Sequence, residues 1–297
     1  MQFRHLVRRK INFAAWDDRV SAEQLGPVYN YSWYLDAATG QQWNAVVGGD
    51  YEYLLPLPFN RKLFGLPQVY MPPMTQQLGI GFLDLSKNPK ILPTLLHAIP
   101  RYYWRVLLQF HAQLNEEQAS IFRPRSNLVL PLGQPYEQLR QAYSRSLRRR
   151  LRKAEEHYSL LEGTDPDALI ELYRQEVGER AGLNNWGYQR IQAIIRSCLE
   201  RGFGQIKLVV DQDNEVHARA FFAGQDRILN LFGASTPSGR EGFAMHFLLD
   251  RIIAQHSGKD RLFDFEGSEI PGVRAFFLSF GALEDTYWSY QGGIGKF

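Results

Sequence analysis

The chain has 297 residues, of which 44% are apolar, 13% aromatic and 22% charged, as in a globular protein with a sizeable core. This composition excludes a largely disordered chain, and a net charge of only +3 does not by itself indicate a nucleic-acid binder, whose signature would be a clustered basic face. The single cysteine, Cys198, excludes an intrachain disulfide and a metal site built from cysteines.

The N-terminal segment carries basic residues but lacks the pattern of a signal peptide. Its apolar stretch is interrupted by Asp17 and Asp18 before it reaches the length of a signal-peptide core. No run of apolar residues approaches the length of a membrane span. We therefore expect a cytoplasmic protein without a membrane span, whose oligomeric state the sequence does not indicate.

The first part of the chain contains short β-like runs. Residues 43–47 and 51–57 are separated by Gly48-Gly49, and this arrangement predicts a β-hairpin. A pair of prolines then forces extended backbone just before Gln76 and Gln77. If that segment is a strand, these two amide side chains lie on opposite faces.

The pattern then alternates between helix and strand. A helix is predicted over 89–101 and a buried strand over 102–110, which together indicate an α/β or α+β sheet domain. Near Pro135 the pattern changes from aromatic-rich strands to a long amphipathic helix. We therefore predict two domains, 1–135 and 136–297.

The helix that opens the second domain has a basic face. Its apolar positions fall on one side at 100° per residue and are Tyr143, Leu147, Leu151 and Ala154. The cations on the opposite side are Arg145, Arg148, Arg149, Arg152 and Lys153. Such a run is either a solvated face or a surface for a polyanion, which would relieve the repulsion among the five charges.

The last third has a clear order of elements. A helix starts at Thr164 or Asp165 and runs to about Ala181. Three strands follow, over 205–211, 216–224 and 226–236. The remaining elements are a Gly-containing loop over 237–242, a helix over 243–258, a strand over 261–267, a helix over 271–281 and a closing strand over 286–290.

Two acids stand where the strand over 261–267 gives way to a helix. The period of a strand places Asp264, Glu266 and Ser268 on one face and Phe263 and Phe265 on the other. These acids either line a reaction site or cap the next helix, where its dipole would make them poorer bases.

The order of elements in the last third resembles the acetyltransferase fold of the GNAT superfamily. In that family the loop before the central helix binds the pyrophosphate of the donor through backbone N–H groups, and the stretch "GREGFA" is similar to that loop. The resemblance implies a donor site formed by Phe232, Gly233, Gly239, Arg240, Gly242, Phe243 and Ala244. Gly242 and Ala244 match the family pattern, but Gly239 replaces the basic residue, so a loop without phosphate stays open as an alternative.

Three further stretches resemble the peptidoglycan-bridge aminoacyltransferases of the Fem type, which carry two acetyltransferase-like domains in tandem. They are "MPPMTQQLGIGF", "SLRRRLRKAEEH" and "FDFEGSEIPGVRAFFLSFGA". The resemblance implies an α/β (α+β) fold of two tandem GNAT-like domains, each with a mixed, mostly antiparallel sheet flanked by helices. It also implies an acceptor or polyanion site that contains Gln76, Gln77, Arg145, Arg148, Arg149 and Arg152.

These resemblances imply an N-acyltransferase. It would move an acyl or aminoacyl group from an acyl-CoA thioester or an aminoacyl-tRNA to the amine of a small molecule or peptide, with or without a linked nucleotide. Glu266 would orient the amine, Asp264 is a second catalytic candidate, and strand amides near Phe232 and Gly233 would stabilise the oxyanion. The seven histidines show no ligand spacing, so we expect no metal. The alternative is a non-catalytic GNAT-fold protein that binds RNA or another polyanion through the helix over 145–153.

Overall fold

The computed structural model describes residues 2–23, 26–62, 64–79, 90–178, 182–267 and 269–293. The strands in chain order are β1 Phe3–Val7, β2 Trp43–Gly48, β3 Tyr53–Lys62, β4 Leu66–Val69, β5 Arg105–Phe110, β6 Arg123–Pro131, β7 Ser159–Gly163, β8 Gly204–Val210, β9 Val216–Ala223, β10 Arg227–Ser235, β11 Leu262–Asp264 and β12 Leu283–Gly293. The helices are α1 Phe13–Ser21, α2 Ser32–Thr39, α3 Ile91–His97, α4 Glu116–Ala119, α5 Tyr136–Ala142, α6 Arg145–Glu155, α7 Pro166–Glu176, α8 Asn185–Glu200, α9 Pro237–Glu241, α10 Ala244–His256 and α11 Pro271–Leu278. Among these residues, no helix combines the length and hydropathy needed to cross a bilayer.

The chain divides into two compact units. Unit 1 comprises Met1–Arg125 and Thr286–Phe297, and unit 2 comprises Ser126–Asp285. The boundary predicted at 135/136 falls inside unit 2, and the C-terminal strand predicted for the second domain belongs to unit 1. The change of pattern near Pro135 marks the start of α5, whereas the division between the units falls within β6.

Unit 1 is built on a mostly antiparallel sheet. Its strand order is β1-β2-β3-β4-β5-β12, and only β4 and β5 form a parallel pair within the described residues. The predicted hairpin is confirmed as β2 and β3. The fully buried side chains of this unit include Val46, Leu55, Leu92, Tyr103 and Phe110. They lie on strands, on α3 and, in the case of Tyr103, in the segment just before β5, so helix and sheet share one apolar core.

Unit 2 has a second mostly antiparallel sheet with helices packed on it. Its strand order is β6-β11-β10-β9-β8-β7, and the β10–β11 pair is parallel. Fully buried side chains from α6, α10 and the strands form the core, among them Leu147, Leu151, Leu248, Ile252 and Phe263. This order of strands and helices confirms the predicted fold class of mixed, mostly antiparallel sheets flanked by helices.

Helix α6 has the amphipathic character that the sequence predicts. Leu147, Leu151 and Ala154 are fully buried, and Ser144 caps the helix by accepting a hydrogen bond from the N–H of Leu147. Tyr143 is buried as well but lies just outside the helix, because the chain adopts an extended conformation there. The predicted single long helix is therefore two helices, α5 and α6.

Several predicted boundaries were wrong for local reasons. Asp165 caps α7 through the N–H groups of Asp167 and Ala168, as predicted, but the helix ends at Glu176. The predicted strand over 261–267 ends at Asp264, since Glu266 has a left-handed backbone with φ of 62°. The predicted loop over 237–242 is largely the short helix α9.

Candidate functional site

The sheet of unit 2 opens beside β10. This strand pairs with β11 only through residues 227–229, opposite 262–264, so the described residues after Leu229 have no strand partner on that side. On its other side β10 pairs with β9 but skips Leu231, which forms a β-bulge. The backbone edge without a partner strand runs from Asn230 to Ser235 and leads to the start of α9.

The N-terminus of α10 has a cavity beside it. The cavity has a volume of about 210 Å³ and is lined by Ser235, Gly239, Arg240, Phe243, Met245, His246 and Phe276. No side chain caps α10, and its first backbone hydrogen bond to Phe243 comes from the N–H of Phe247. The N–H groups of residues 244–246 therefore have no partner within the helix.

Ser235 adds a polar group to this cavity. Its side-chain oxygen is buried and meets no hydrogen-bond partner in the described part of the chain. A buried hydroxyl without a partner is costly, so the position favours a bound polar atom. Together with the positive end of the α10 dipole, it creates a site suited to an anion.

A half-buried histidine and an arginine complete this end of α10. Arg150 of α6 donates a hydrogen bond to Nε2 of His246 over 3.2 Å and lies 5.3 Å from the centre of the Phe243 ring. Burial and the charge of Arg150 lower the pKa of His246 to about 4. The imidazole is therefore neutral at physiological pH, and Arg150 supplies a fixed positive charge beside the cavity.

The glycines that the resemblance assigned to the donor site have another role in the packing. A Cβ at Gly239 would overlap the carbonyl oxygen of His217, and a Cβ at Gly242 would overlap the hydroxyl of Tyr158. The space beside both Cα atoms is thus filled by the protein itself. Packing against Tyr158 therefore explains why position 242 is a glycine, and the role of Gly242 toward a bound donor stays a prediction.

The other residues of the implied donor site surround the same region. Arg240 lines the cavity, and its guanidinium is held by Glu176 and by the carbonyl of Ser235, each over 2.7 Å. Phe243 precedes α10 with a φ of 65°, and Ala244 is the first residue of that helix. The structure therefore brings Gly239, Arg240, Gly242, Phe243 and Ala244 together at the end of α10.

Phe232 and Gly233 lie on β10 just after the bulge. The Phe232 ring is buried and stacks on Tyr173 of α7, with 4.0 Å between the ring centres. A Cβ at Gly233 would come within 3.0 Å of the carbonyl oxygen of Arg219 on β9. Both side-chain positions are thus explained by packing, and any role toward a bound donor belongs to their backbone groups.

Asp264 has the environment of a structural ion pair. Its carboxylate is fully buried and accepts hydrogen bonds from Arg227 Nε over 2.7 Å, from Asn127 over 3.0 Å and from the N–H of Glu266 over 2.8 Å. The Arg227 guanidinium is itself only 2% exposed. Both oxygens of Asp264 are engaged, so this geometry favours the capping and structural interpretation over the catalytic one.

Glu266 differs from Asp264 in both exposure and backbone. It is half-buried and follows the strand in a left-handed conformation, so strand parity does not place it beside Asp264. Ser268, the third residue of the predicted face, lies outside the described residues. Neither acid is among the described residues that line the α10 cavity.

The basic face of α6 is exposed as predicted. Its five cations are all exposed, and none forms a salt bridge with an acid among the described residues. Arg150 differs from these five cations because it contacts His246 of α10. The sequence prediction did not include it in the basic face. At 100° per residue it lies only about 20° from Tyr143, so the sequence already placed Arg150 at the margin of the apolar face rather than among the solvent-facing cations.

Gln76 and Gln77 belong to unit 1 and do not lie on a strand. The Gln77 amide donates to Gln76 Oε1 over 2.6 Å, so the two side chains are not on opposite faces as predicted. Gln77 is 2% exposed. Its Oε1 is buried and has no hydrogen-bond partner in the described residues. An N–H or O–H group of a bound ligand would satisfy this oxygen by donating a hydrogen bond to it.

In the part of the chain that the structure describes, one group of side chains could hold a metal ion, and the sequence prediction missed it. Asp211, Glu215 and His217 place ligand atoms within 4.8 Å of one another across the turn between β8 and β9. His217 Nε2 already contacts Asp211 Oδ2 over 2.9 Å, and its Nδ1 contacts Ser238 over 3.1 Å. These contacts already satisfy the imidazole, and the signal in the sequence is the spacing of the three residues over a tight turn.

The comparisons with known proteins bear on the fold. No protein-family model matches the chain, and no curated protein sequence matches it. Among solved structures, FemX superposes with a TM-score of 0.69 at 14% identity, covering 98% of this chain and 97% of that one. L-PGS from Bacillus licheniformis gives 0.54 at 13% identity, with 93% and 90% covered.

A third similar structure is the N-myristoyltransferase of Saccharomyces cerevisiae with bound myristoyl-CoA. Its TM-score is 0.52 at 10% identity, with 98% of this chain and 79% of that chain covered. At such identities the similarity concerns the fold, and it extends over nearly the whole chain. The predicted resemblance to the Fem-type fold is therefore confirmed as a resemblance of fold.

Proposed function

We propose that this chain is an acyltransferase that moves an acyl or aminoacyl group from an acyl-CoA or aminoacyl-tRNA donor to an amine acceptor. The observation that carries the proposal is the uncapped N-terminus of α10, with its cavity and buried Ser235 hydroxyl, at the end of a strand that parts from its parallel neighbour. The fold shared with FemX and with a myristoyl-CoA-bound N-myristoyltransferase supports it.

In this proposal the phosphate-bearing end of the donor occupies the α10 cavity. The N–H groups of residues 244–246 and the Ser235 hydroxyl donate hydrogen bonds to the phosphate. Arg150 and Arg240 supply positive charge from two sides. The rest of the donor then lies along the open edge of β10, which leads away from the cavity toward the bulge.

The transfer itself needs positioning more than unusual side-chain chemistry. The acceptor amine attacks the carbonyl carbon of the thioester or ester, and the oxyanion that forms is stabilised by N–H groups of β10 near Phe232 and Gly233. The amine loses a proton to Glu266, and the thiolate or the ribose oxygen leaves. Asp264 holds the backbone of Glu266 through a hydrogen bond and takes no part in the proton transfer.

Donor binding is tested by replacing Ser235. We expect Ser235→Ala to weaken the binding of acyl-CoA or of a charged tRNA roughly tenfold, because a hydrogen bond to a charged group is lost. Isothermal titration calorimetry measures this affinity. Ser257→Ala at the opposite end of α10 is the matched control and should leave the affinity unchanged. Equal affinities for both variants and the parent protein would contradict the assignment of the cavity.

The role of Glu266 is tested separately from donor binding. Glu266→Gln keeps the shape of the side chain but removes the carboxylate, so turnover should fall about 100-fold or more while donor affinity stays the same. The exposed Glu269→Gln, three residues away, is the control. If both variants turn over at the parent rate, Glu266 is not the proton acceptor.

A second candidate function is a non-catalytic protein that binds RNA or another polyanion through α6. The five exposed cations without salt bridges in the described part of unit 2 favour it. Arg148→Glu with Arg149→Glu should then weaken tRNA binding and reduce its salt dependence by about one unit of slope per lost phosphate contact. The exposed Arg196 of α8 and Arg201, the residue just after that helix, serve as controls when they are changed to Glu. Detectable acyl-donor binding and turnover distinguish the enzyme from this alternative.

A further inference from the structure

Positive charge is concentrated along one side of the unit 1 sheet, where strands end or begin; we call this side the edge. The ends of β1 and β3 and the beginnings of β4 and β5 lie at this edge, because β1 and β3 run opposite to β4 and β5. The three stretches 7–10, 60–67 and 101–105 contain no acid. Their cations are Arg8, Arg9, Lys10, Arg61, Lys62, Arg101 and Arg105. All but Arg8, which pairs with Asp36 of α2, are exposed.

The same edge exposes large apolar side chains. Phe64 is 97% exposed at the tip of the β3–β4 hairpin, Leu66 is 42% exposed on β4, and Tyr102 is 52% exposed just before β5. Large apolar residues that cluster in this way on a protein surface indicate an interaction site. Because these apolar side chains lie next to the exposed cations of the same edge, the partner should offer both an apolar region and negative charge.

The hairpin tip stands beyond its neighbouring strands. β3 pairs with β2 only up to Pro58, and β4 pairs with β5 only from Gln68 onward. Residues 60–62 of β3 therefore extend past β2 by roughly 10 Å at about 3.4 Å per residue. Phe64 occupies the apex, whereas most of the cations lie behind it at the ends of the strands.

We propose that this edge of unit 1 binds the surface of an anionic lipid bilayer. In a bilayer the hydrocarbon lies beneath the phosphate layer, and interfacial segments bury apolar groups about 5–10 Å deep. An apolar apex with cations set behind it matches that order of layers: Phe64 and Leu66 reach the acyl chains while Arg61, Lys62 and Arg101 meet the headgroups.

An RNA partner fits this arrangement less well. A nucleic acid presents its phosphates outermost, so its first contacts are with cations rather than with an aliphatic and aromatic tip. A protein partner would need a concave pocket to receive the tip, whereas the lipid surface accepts it without one. The inference does not depend on the proposed acyl transfer, since all of its residues lie in unit 1 and none belongs to the α10 cavity.

The first test is co-sedimentation with vesicles. The parent protein should bind vesicles with 30 mol% phosphatidylglycerol and not vesicles of phosphatidylcholine alone. Phe64→Ser with Leu66→Ser should weaken binding roughly 100-fold or more, because two apolar side chains no longer enter the bilayer. Arg61→Gln with Lys62→Gln should weaken it about 30-fold, at about 1 kcal/mol for each cation. Ile121→Ser, at a position 60% exposed elsewhere in unit 1, should have no effect.

The second test places a fluorescent probe at the tip. The only native cysteine, Cys198, is buried and burial raises the pKa of its thiol to about 12, so Phe64→Cys introduces a single reactive thiol for an environment-sensitive dye. The emission should shift to the blue on addition of anionic vesicles, and an Ile121→Cys control should not respond. The proposal is wrong if vesicles do not bind, if the tip variants bind as well as the parent, or if the probe responds to tRNA and not to vesicles.

Discussion

Removal of the Asp264 carboxylate should unfold unit 2 more readily rather than block its chemistry directly. In the variant Asp264→Ala, the buried Arg227 guanidinium loses the ion pair in which its Nη2 lies 2.6 Å from the carboxylate. Arg227 also forms an ion pair with Asp285, at the longer distance of 3.5 Å. The side chain of Asn127 and the N–H of Glu266 lose their acceptor in the same step.

The size of the effect follows from this loss. Breaking a buried ion pair by removing one member typically costs about 3–5 kcal/mol, because the remaining buried charge loses the nearest group that compensates it. Asp264 is fully buried and Arg227 is 2% exposed, so solvent provides little relief. We therefore expect the free energy of unfolding to fall by about 3–5 kcal/mol, which is a large part of the stability of an ordinary domain.

Urea unfolding followed by circular dichroism measures this loss. A second variant, Arg227→Met with Asp264→Leu, removes both charges and should recover part of the stability, because apolar pairs of similar volume replace buried ion pairs at little cost. Glu266→Gln, which leaves the pair intact, should unfold like the parent protein. A loss below about 1 kcal/mol for Asp264→Ala, together with abolished turnover, would refute the structural interpretation and restore the catalytic one.

Three further changes test the environment of α10. Gly242→Ala should lower the free energy of unfolding by about 1–3 kcal/mol in thermal unfolding, because the added methyl group overlaps the Tyr158 hydroxyl. Tyr158→Phe in the same chain should recover part of the lost free energy. A Gly242→Ala variant as stable as the parent would show that the glycine serves another purpose. Arg150→Met should raise the pKa of His246 from about 4 in an NMR titration, since a neighbouring cation is removed; an unchanged value would exclude that influence. The free energy of unfolding should be constant above pH 6.5 and fall as the pH drops toward 4, because the pKa values of His246 and His256 are lowered to about 4 in the folded protein and both histidines take up protons first in the unfolded chain. His246→Gln with His256→Gln should flatten this decline when the free energy is measured by urea unfolding at each pH. An equally steep decline in the double variant would contradict the prediction.

Periodicity in the sequence predicts the elements of unit 2 well. The basic and apolar sides of α6, the Asp165 cap of α7 and the strands of the central meander are all local patterns, set by positions a few residues apart. The division into units was harder to predict, because β12 lies at the end of the sequence but pairs with β5 of unit 1. Such a pairing depends on contacts between residues far apart in the chain, which no local pattern reveals.

The candidate site shows the same difference. A glycine beside a helix looks the same in the sequence whether it makes room for a phosphate or for a side chain of the protein, and only the structure shows Tyr158 beside Gly242. The side chains that donate hydrogen bonds to Asp264 are those of Asn127 and Arg227, which lie on two other strands far away in the sequence. The left-handed backbone at Glu266 could not be inferred either, since strand parity assumes that the strand continues.

The two faces of α6 give a last prediction, which concerns the class of donor. Arg150 reaches the N-terminus of α10, while Arg148 and Arg149 of the same helix point to solvent. A charged tRNA carries both an ester and a long phosphate backbone, so it can use the α10 cavity and the exposed cations together, whereas an acyl-CoA needs only the cavity.

Charge reversal at Arg148 and Arg149 therefore distinguishes the two donors. It should weaken a tRNA donor steeply and in a salt-dependent way, but it should leave the affinity for acyl-CoA within about threefold, because the reversed charges face away from α10. Ser235→Ala should weaken the binding of either donor, since both place a phosphate in the α10 cavity. Calorimetric titration of both variants with both donors checks this, and equal losses of acyl-CoA affinity in the two variants would show that α6 and the cavity do not act separately.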